Sequence, residues 1–250
     1  MNILMPLPKK DFDPTEAAVT WKILSKKGVK ITFATSNGEK AEADSIILTG
    51  KGLGIWKGIL MAGQDAVAAY AEMTGQENYQ KPLTYNDLKE TDYDAIILPG
   101  GHDKGMREYL ESKLLQDLIV DFFRQNKPVA AICHGVLLVA RSIDSATGKS
   151  VLYEKKTTCL LKSQELAAYN MTRWWLGDYY RTYPETTTED EVKSFLKDKK
   201  QFQKGSFPFN KDTENNTAKS FTVLDGNYLS ARYPGDVYKF AEDFYNLLTK

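Results

Sequence analysis

Cys133, His134 and Gly135 close an apolar run, Val129-Ala130-Ala131-Ile132, that follows Lys127-Pro128. The run has the length of a buried parallel strand, and Val136-Leu137-Leu138-Val139-Ala140 continues beyond Gly135 with helical apolar spacing. Strand, sharp turn, helix is the geometry of a nucleophile elbow. The turn lifts one side chain above the sheet edge and aims backbone N–H groups at whatever binds there. As nucleophile, Cys133 needs a site that favours thiolate, because a free thiol is mostly protonated at neutral pH. The helix N-terminus supplies part of that bias and a neighbouring histidine can supply more, although His134 also reads as a histidine that merely hydrogen-bonds its surroundings. A lone cysteine at a strand end is ordinarily core; its two companions turn this one toward chemistry.

A second glycine-bearing strand end lies one strand earlier. Ala95-Ile96-Ile97-Leu98 runs into Pro99-Gly100-Gly101-His102-Asp103. Glycines there let backbone approach a ligand closely. The amides of Gly101 and His134 are the natural oxyanion donors, and Gly100 and His102 are placed at the substrate pocket, although His102 also reads as an ordinary loop residue. Glu16 has two readings. Asp13-x-x-Glu16 has the spacing of a capping box, in which the glutamate reaches back to the cap N–H; the other reading comes with the family resemblance below. Cys159 lies in Lys156–Leu161, which reads as a strand, and is assigned to inert core.

The elements that must position these residues alternate. Asn2–Met5 reads as a short strand, and Asp13 caps a helix that has Pro14 at its first position and runs to about Lys27. Gly28 ends it, and Val29–Ala34 is the next strand, so the opening β-α-β unit predicts a parallel sheet with a right-handed crossover. Residues 37–92 hold a glycine-rich piece and an Ala-rich helix near Gln64–Met73, read as cover for the strand ends. The glycine spacing there matches no phosphate loop. Lys113–Gln125 is an amphipathic helix leading back to the elbow strand. Trp174-Trp175 and Tyr179-Tyr180 read as core, a dimer surface, or a lid beside the pocket. A hairpin around Asp225-Gly226 and a helix over Asp236–Leu248 close the chain.

Composition narrows the function classes. Lys+Arg and Asp+Glu balance at 33 each over 250 residues, so no basic field points to nucleic acid or an anionic membrane. No run approaches the roughly 18 apolar residues of a membrane span, and Met1–Pro6 is too short, and without a basic flank, to be a signal peptide. Two cysteines in such a chain suit a reducing compartment, and cytoplasm is expected. With two cysteines and two histidines, a tetrahedral metal set would consume the nucleophile, so neither metal nor other cofactor is expected.

Three stretches together resemble the signatures of the ThiJ/PfpI superfamily: Leu98-Pro99-Gly100-Gly101-His102, Ala131-Ile132-Cys133-His134-Gly135 and Ser230-Ala231-Arg232-Tyr233-Pro234-Gly235. The resemblance is to the branch containing heat-shock chaperones and glutathione-independent glyoxalases. It implies an α/β, flavodoxin-like three-layer sandwich with a mostly parallel central sheet, the fold shared with class I glutamine amidotransferases. One domain over 1–250 is expected, with insertions around 37–92 and 165–218, and the chain is expected to form a homodimer. The resemblance further implies that His134 reaches the site as an acid/base, that Glu16 hydrogen-bonds Cys133 and that Glu165 orients His134, fixing its tautomer. An amidotransferase triad cannot be assembled, because neither histidine lies near the C-terminus. The implied activity is that of a cysteine-dependent enzyme on small reactive carbonyls, glyoxalase III- or deglycase-like, turning methylglyoxal into lactate. The same elbow suits a cysteine peptidase or amidase, and a holdase-type stress chaperone would use exposed apolar surface instead.

Overall fold

The computed structural model describes residues 1–206 and 209–250. Seven strands form the central sheet: Asn2–Pro6 (β1), Lys30–Thr35 (β3), Leu83–Thr84 (β5), Ala95–Leu98 (β6), Val129–Ile132 (β7), Thr222–Asp225 (β10) and Tyr228–Ala231 (β11). Lys10–Phe12 (β2) pairs with Glu42–Ala43 (β4), and Ile143–Asp144 (β8) with Lys149–Ser150 (β9), in two small ribbons. The central order is β10-β11-β7-β6-β1-β3-β5. Every pairing in it is parallel except β10 with β11, the hairpin at one edge. The apolar runs behave as buried-strand sequences must: β6, β7 and β11 bury every residue.

Helices cover the sheet. Pro14–Lys26 packs against Gln64–Thr74 and the terminal helix Val237–Leu248. Lys113–Arg124 packs against the elbow helix Gly135–Ala140. Val237, Phe240, Ala241, Phe244 and Leu247 carry the buried stripe of the terminal helix at the expected helical spacing. The first helix starts as its sequence dictates. Asp13 accepts from the N–H groups of Thr15 (2.7 Å) and Glu16 (3.1 Å), and Pro14 takes a position where no N–H is needed. Among the described residues, no helix is long and apolar enough to cross a membrane.

Two readings of local pattern need correction. Lys156–Leu161 is not a strand; only Thr157 makes a bridge, to Phe202. The hydroxyls of Tyr228 and Ser230 reach up from β11 and hold Thr157 and Thr158 (3.0 Å each), so the segment lies over the sheet and is tied to it through side chains. The stretch 37–92 does more than cover strand ends, since β5 extends the sheet beyond β3.

Chain reversal places the site. β1 sits between β3 and β6, the point where the winding changes direction. The segments leaving the carboxyl ends of β1, β6 and β7 therefore converge there. They carry Asp13 and Glu16, Gly100 to His102, and Cys133 with His134.

Past β11, Arg232 and Asp236 form a fully buried bidentate pair at 2.7 and 2.8 Å. Asp236 also accepts the Phe221 N–H and Arg232 donates to the Ser206 carbonyl at 2.9 Å each. The third sequence signature thus clamps the chain beside the sheet. Removing one partner strands the other charge in the interior, so Asp236→Ala should cost about 3–5 kcal/mol in chemical denaturation. Replacing both residues with apolar ones should cost less than that single change; a single change that leaves stability untouched contradicts the clamp.

Candidate active site

Cys133 has a left-handed backbone, φ +58°, a conformation uncommon for a residue other than glycine. Its N–H donates to the Ala231 carbonyl at 3.1 Å, which extends the β7–β11 pairing to the cysteine itself. Immediately after, the chain passes close against the carboxyl end of β6. A Cβ on Gly135 would lie 2.1 Å from the Leu98 carbonyl oxygen, and one on Gly100 would lie 2.7 Å from the His134 nitrogen and 3.0 Å from the Cys133 Cβ. Glycine is needed at both places because backbone meets backbone there.

Glu16, fully buried, accepts the Gly100 N–H at 2.7 Å through Oε2. Its Oε1 has no hydrogen-bond partner, and the Cys133 thiol is near enough to act on the carboxyl's titration. Only half of a capping box is present, since the Asp13 N–H goes to the Gly100 carbonyl (2.9 Å) and not to Glu16. Burial, reinforced by the neighbouring Asp13, pushes the Glu16 carboxyl well above the usual carboxylate range. Burial also pushes Asp13 up, to about 6.

Burial raises the Cys133 thiol well above its ordinary value, and negative charge on Glu16 and Asp13 raises it further; the His134 N–H opposes both. The two partners share one proton question. A carboxyl held neutral no longer repels the thiolate but donates to it, so protonated Glu16 is the form that supports ionisation of Cys133.

His134 is buried, with Nδ1 3.5 Å from Cys133 Sγ and Nε2 3.2 Å from Thr182 Oγ1. The Thr182 hydroxyl donates its single proton to the His102 carbonyl at 2.5 Å. Its oxygen must then accept from Nε2–H, which leaves the Nδ1 lone pair facing the thiol. Burial, with His102 and Arg141 adding to it, lowers the His134 imidazole to about 3. It rests neutral at physiological pH.

Glu165 is not the residue that orients His134. Its Oε1 lies 3.1 Å from Arg181 Nε and its Oε2 accepts the Thr188 N–H at 2.9 Å. Although Glu165 lines the same cavity as Cys133, its charge is spent on Arg181. Thr182 takes the orienting position, and no local pattern in its aromatic surroundings signals it. Gly101 and His102 do line that cavity, and Gly100 holds Glu16. Cys159 is fully buried elsewhere. Among the described residues, no group of three or more His, Cys, Asp and Glu side chains is arranged to hold a metal.

The cavity measures about 240 Å³. Ile47, Leu60, Leu160, Met171 and Val237 give it apolar walls, while Asp13, Tyr180 and Cys133 bring polar groups into it. One wall comes from the glycine-rich stretch after β4, the other from the helix Lys162–Leu176.

A family model described as ThiJ/PfpI family-like matches residues 7–205. The chain belongs to this family. An uncharacterised protein of Schizosaccharomyces pombe is 25% identical over 183 residues, 69% of this chain and 67% of that one. A protein of Pyrococcus furiosus named deglycase PfpI is 24% identical over 178 residues, 70% of this chain and 76% of its own. Other curated relatives match over as little as 20% of their own length. Among solved structures, glyoxalase III of Candida albicans superposes with a TM-score of 0.71 at 20% identity, covering 99% of this chain and 97% of that one. At that identity the likeness shows the ThiJ/PfpI fold.

The Glu16–Cys133 contact has a direct readout in thiol alkylation. Below its raised pKa the Glu16 carboxyl is protonated and able to donate to a thiolate; as pH rises through that pKa the carboxylate turns against the thiolate. Glu16→Gln retains only a weaker, non-titrating donor. It should slow iodoacetamide labelling of Cys133 near pH 7 and leave a simpler rate–pH profile. An unchanged profile with lowered thermal stability would reduce Glu16 to a helix-start residue.

Proposed function

We propose that this chain is a cysteine-dependent enzyme acting on small reactive carbonyls, converting methylglyoxal to lactate without glutathione. The observation that carries the reading is the Cys133 thiol, held at φ +58° between the buried Glu16 carboxyl and a neutral His134 whose Nδ1 faces sulfur. The names of the Pyrococcus deglycase and the Candida glyoxalase III support a carbonyl substrate.

In this reading Sγ attacks the aldehyde carbon while His134 Nδ1 takes the thiol proton. A hemithioacetal forms, and the amides of Gly101 and His134 receive its oxygen as charge develops. His134 or Glu16 then moves the proton from the first carbon to the second. The product is a thioester of lactate on Cys133, and water releases it. Electrons are redistributed within the substrate, so no external oxidant or reductant is required. A peptidase or amidase would begin with the same attack.

One observation favours a second reading, that of a holdase. Ile55 and Trp174 are 88% and 81% exposed, and half-exposed Trp175 is tied to the glycine-rich stretch by its Nε1–H to the Gly52 carbonyl at 2.7 Å. Such an apolar surface needs no thiol.

Purified protein should form lactate from methylglyoxal with glutathione absent, and Cys133→Ala should abolish it. Wild type and Cys133→Ala that are both inactive, yet suppress aggregation of a denatured client equally, would transfer the assignment to the holdase.

A further inference from the structure

His134 faces the thiol, and another imidazole, that of His102, belongs to a residue lining the cavity. His102 stacks on Tyr180 (ring centroids 4.3 Å apart, 14° between planes) and meets the Tyr179 ring edge-on at 4.7 Å. Its Nε2 is buried without a hydrogen-bond partner, 3.7 Å from Asp44 Oδ2. Asp44 is itself fixed: Oδ2 accepts the Tyr179 hydroxyl at 2.5 Å, and Oδ1 accepts the Ile46 and Ile47 N–H groups at 2.9 and 3.0 Å. The backbone is held too, since the His102 carbonyl accepts the Thr182 hydroxyl that orients His134.

The carboxylate beside Nε2 favours the tautomer with the proton on that nitrogen, as in carboxylate–imidazole pairs generally. Nδ1 then carries the lone pair, and the ring lines the same cavity as Cys133. Catalytic hydrogen bonds in an unliganded site are often long and tighten when substrate binds, which accommodates the Asp44 separation. Burial lowers the His102 imidazole from its ordinary value, so the ring is neutral at physiological pH and can accept a proton.

We propose that His102, oriented by Asp44, is the base that activates the water which hydrolyses the Cys133 thioester. The proposal rests on the carbonyl-enzyme reading above and divides its reaction between two imidazoles. His134 serves formation of the covalent intermediate and His102 its resolution. In the second half, Nδ1 of His102 takes one proton from water as the oxygen bonds to the acyl carbon. The tetrahedral adduct collapses, the C–S bond breaks, and its electron pair returns to Sγ. His102 returns its proton to that sulfur, and the released lactic acid gives its own to solvent.

The test is rapid quenching into acid, with intact-mass and peptide analysis, after mixing wild type or His102→Gln with excess methylglyoxal. In the variant the first turnover should proceed at the wild-type rate and leave Cys133 carrying the mass of one methylglyoxal. Steady-state lactate formation should fall about 100-fold or more. A retained first-turnover burst also shows that the variant is folded. Should His102→Gln fail to fold, His102→Ala serves, and free imidazole should restore its hydrolytic step. Asp44→Asn should accumulate the same adduct with a smaller loss of turnover. Wild-type turnover in the variants, or a first turnover slowed in step with the steady state, overturns the role in hydrolysis. Wild type that forms neither adduct nor lactate removes the carbonyl reading, and this inference with it.

Discussion

Cys133 can face the cavity only because its backbone is held in the left-handed region, at φ +58°. A residue with a side chain resists that conformation by about 1–3 kcal/mol, and it persists only where the surroundings over-determine it. Here they do. The Cys133 N–H is tied to Ala231 on β11, and Gly135 lies against the Leu98 carbonyl at the end of β6. Gly100 leaves room for the Cys133 Cβ on the same side. Three adjacent parallel strands, β11, β7 and β6, therefore fix one turn. The burial of those strands offsets its strain.

The electrostatics follow from that burial. Glu16 and His134 are taken out of water where the charged form of each is penalised, and the carboxyl moves up while the imidazole moves down. The resting site therefore carries a neutral acid, a neutral base and a thiol. In the proposed reaction, charge is created only during attack by the thiol, where the His134 Nδ1 lies 3.5 Å from sulfur. Asp13 joins the helix cap to the chemistry: its oxygen caps the first helix and its proximity raises Glu16. One short turn thus starts a helix and conditions an acid.

Much of this was legible in the sequence because it is local. The elbow requires a short apolar run, Cys133, and Gly135 two residues on. The first helix announces itself through Asp13 and Pro14, and the alternation of strand and helix implies the parallel sheet. The misreadings came where local spacing had to stand in for tertiary partners. Glu165 follows the segment from which an orienting acid was expected, but Arg181, sixteen residues on, claims its charge. Thr182 reaches His134 from a stretch whose aromatic residues gave no sign of a hydrogen-bonding role. Lys156–Leu161 has strand composition, yet side chains rising from β11 hold it across the sheet. Asp44 and His102, 58 positions apart, meet only in the folded chain.

The proposed role of the elbow is to make Cys133, one of two buried cysteines, a carbonyl-reactive nucleophile. Competitive labelling tests it most directly: folded protein is treated with iodoacetamide with and without methylglyoxal, and the label is located by peptide mass. Cys133 should label, Cys159 should not until the chain unfolds, and methylglyoxal should slow labelling of Cys133. Equal labelling of the two cysteines, or labelling of Cys133 that methylglyoxal leaves unchanged, would contradict that role.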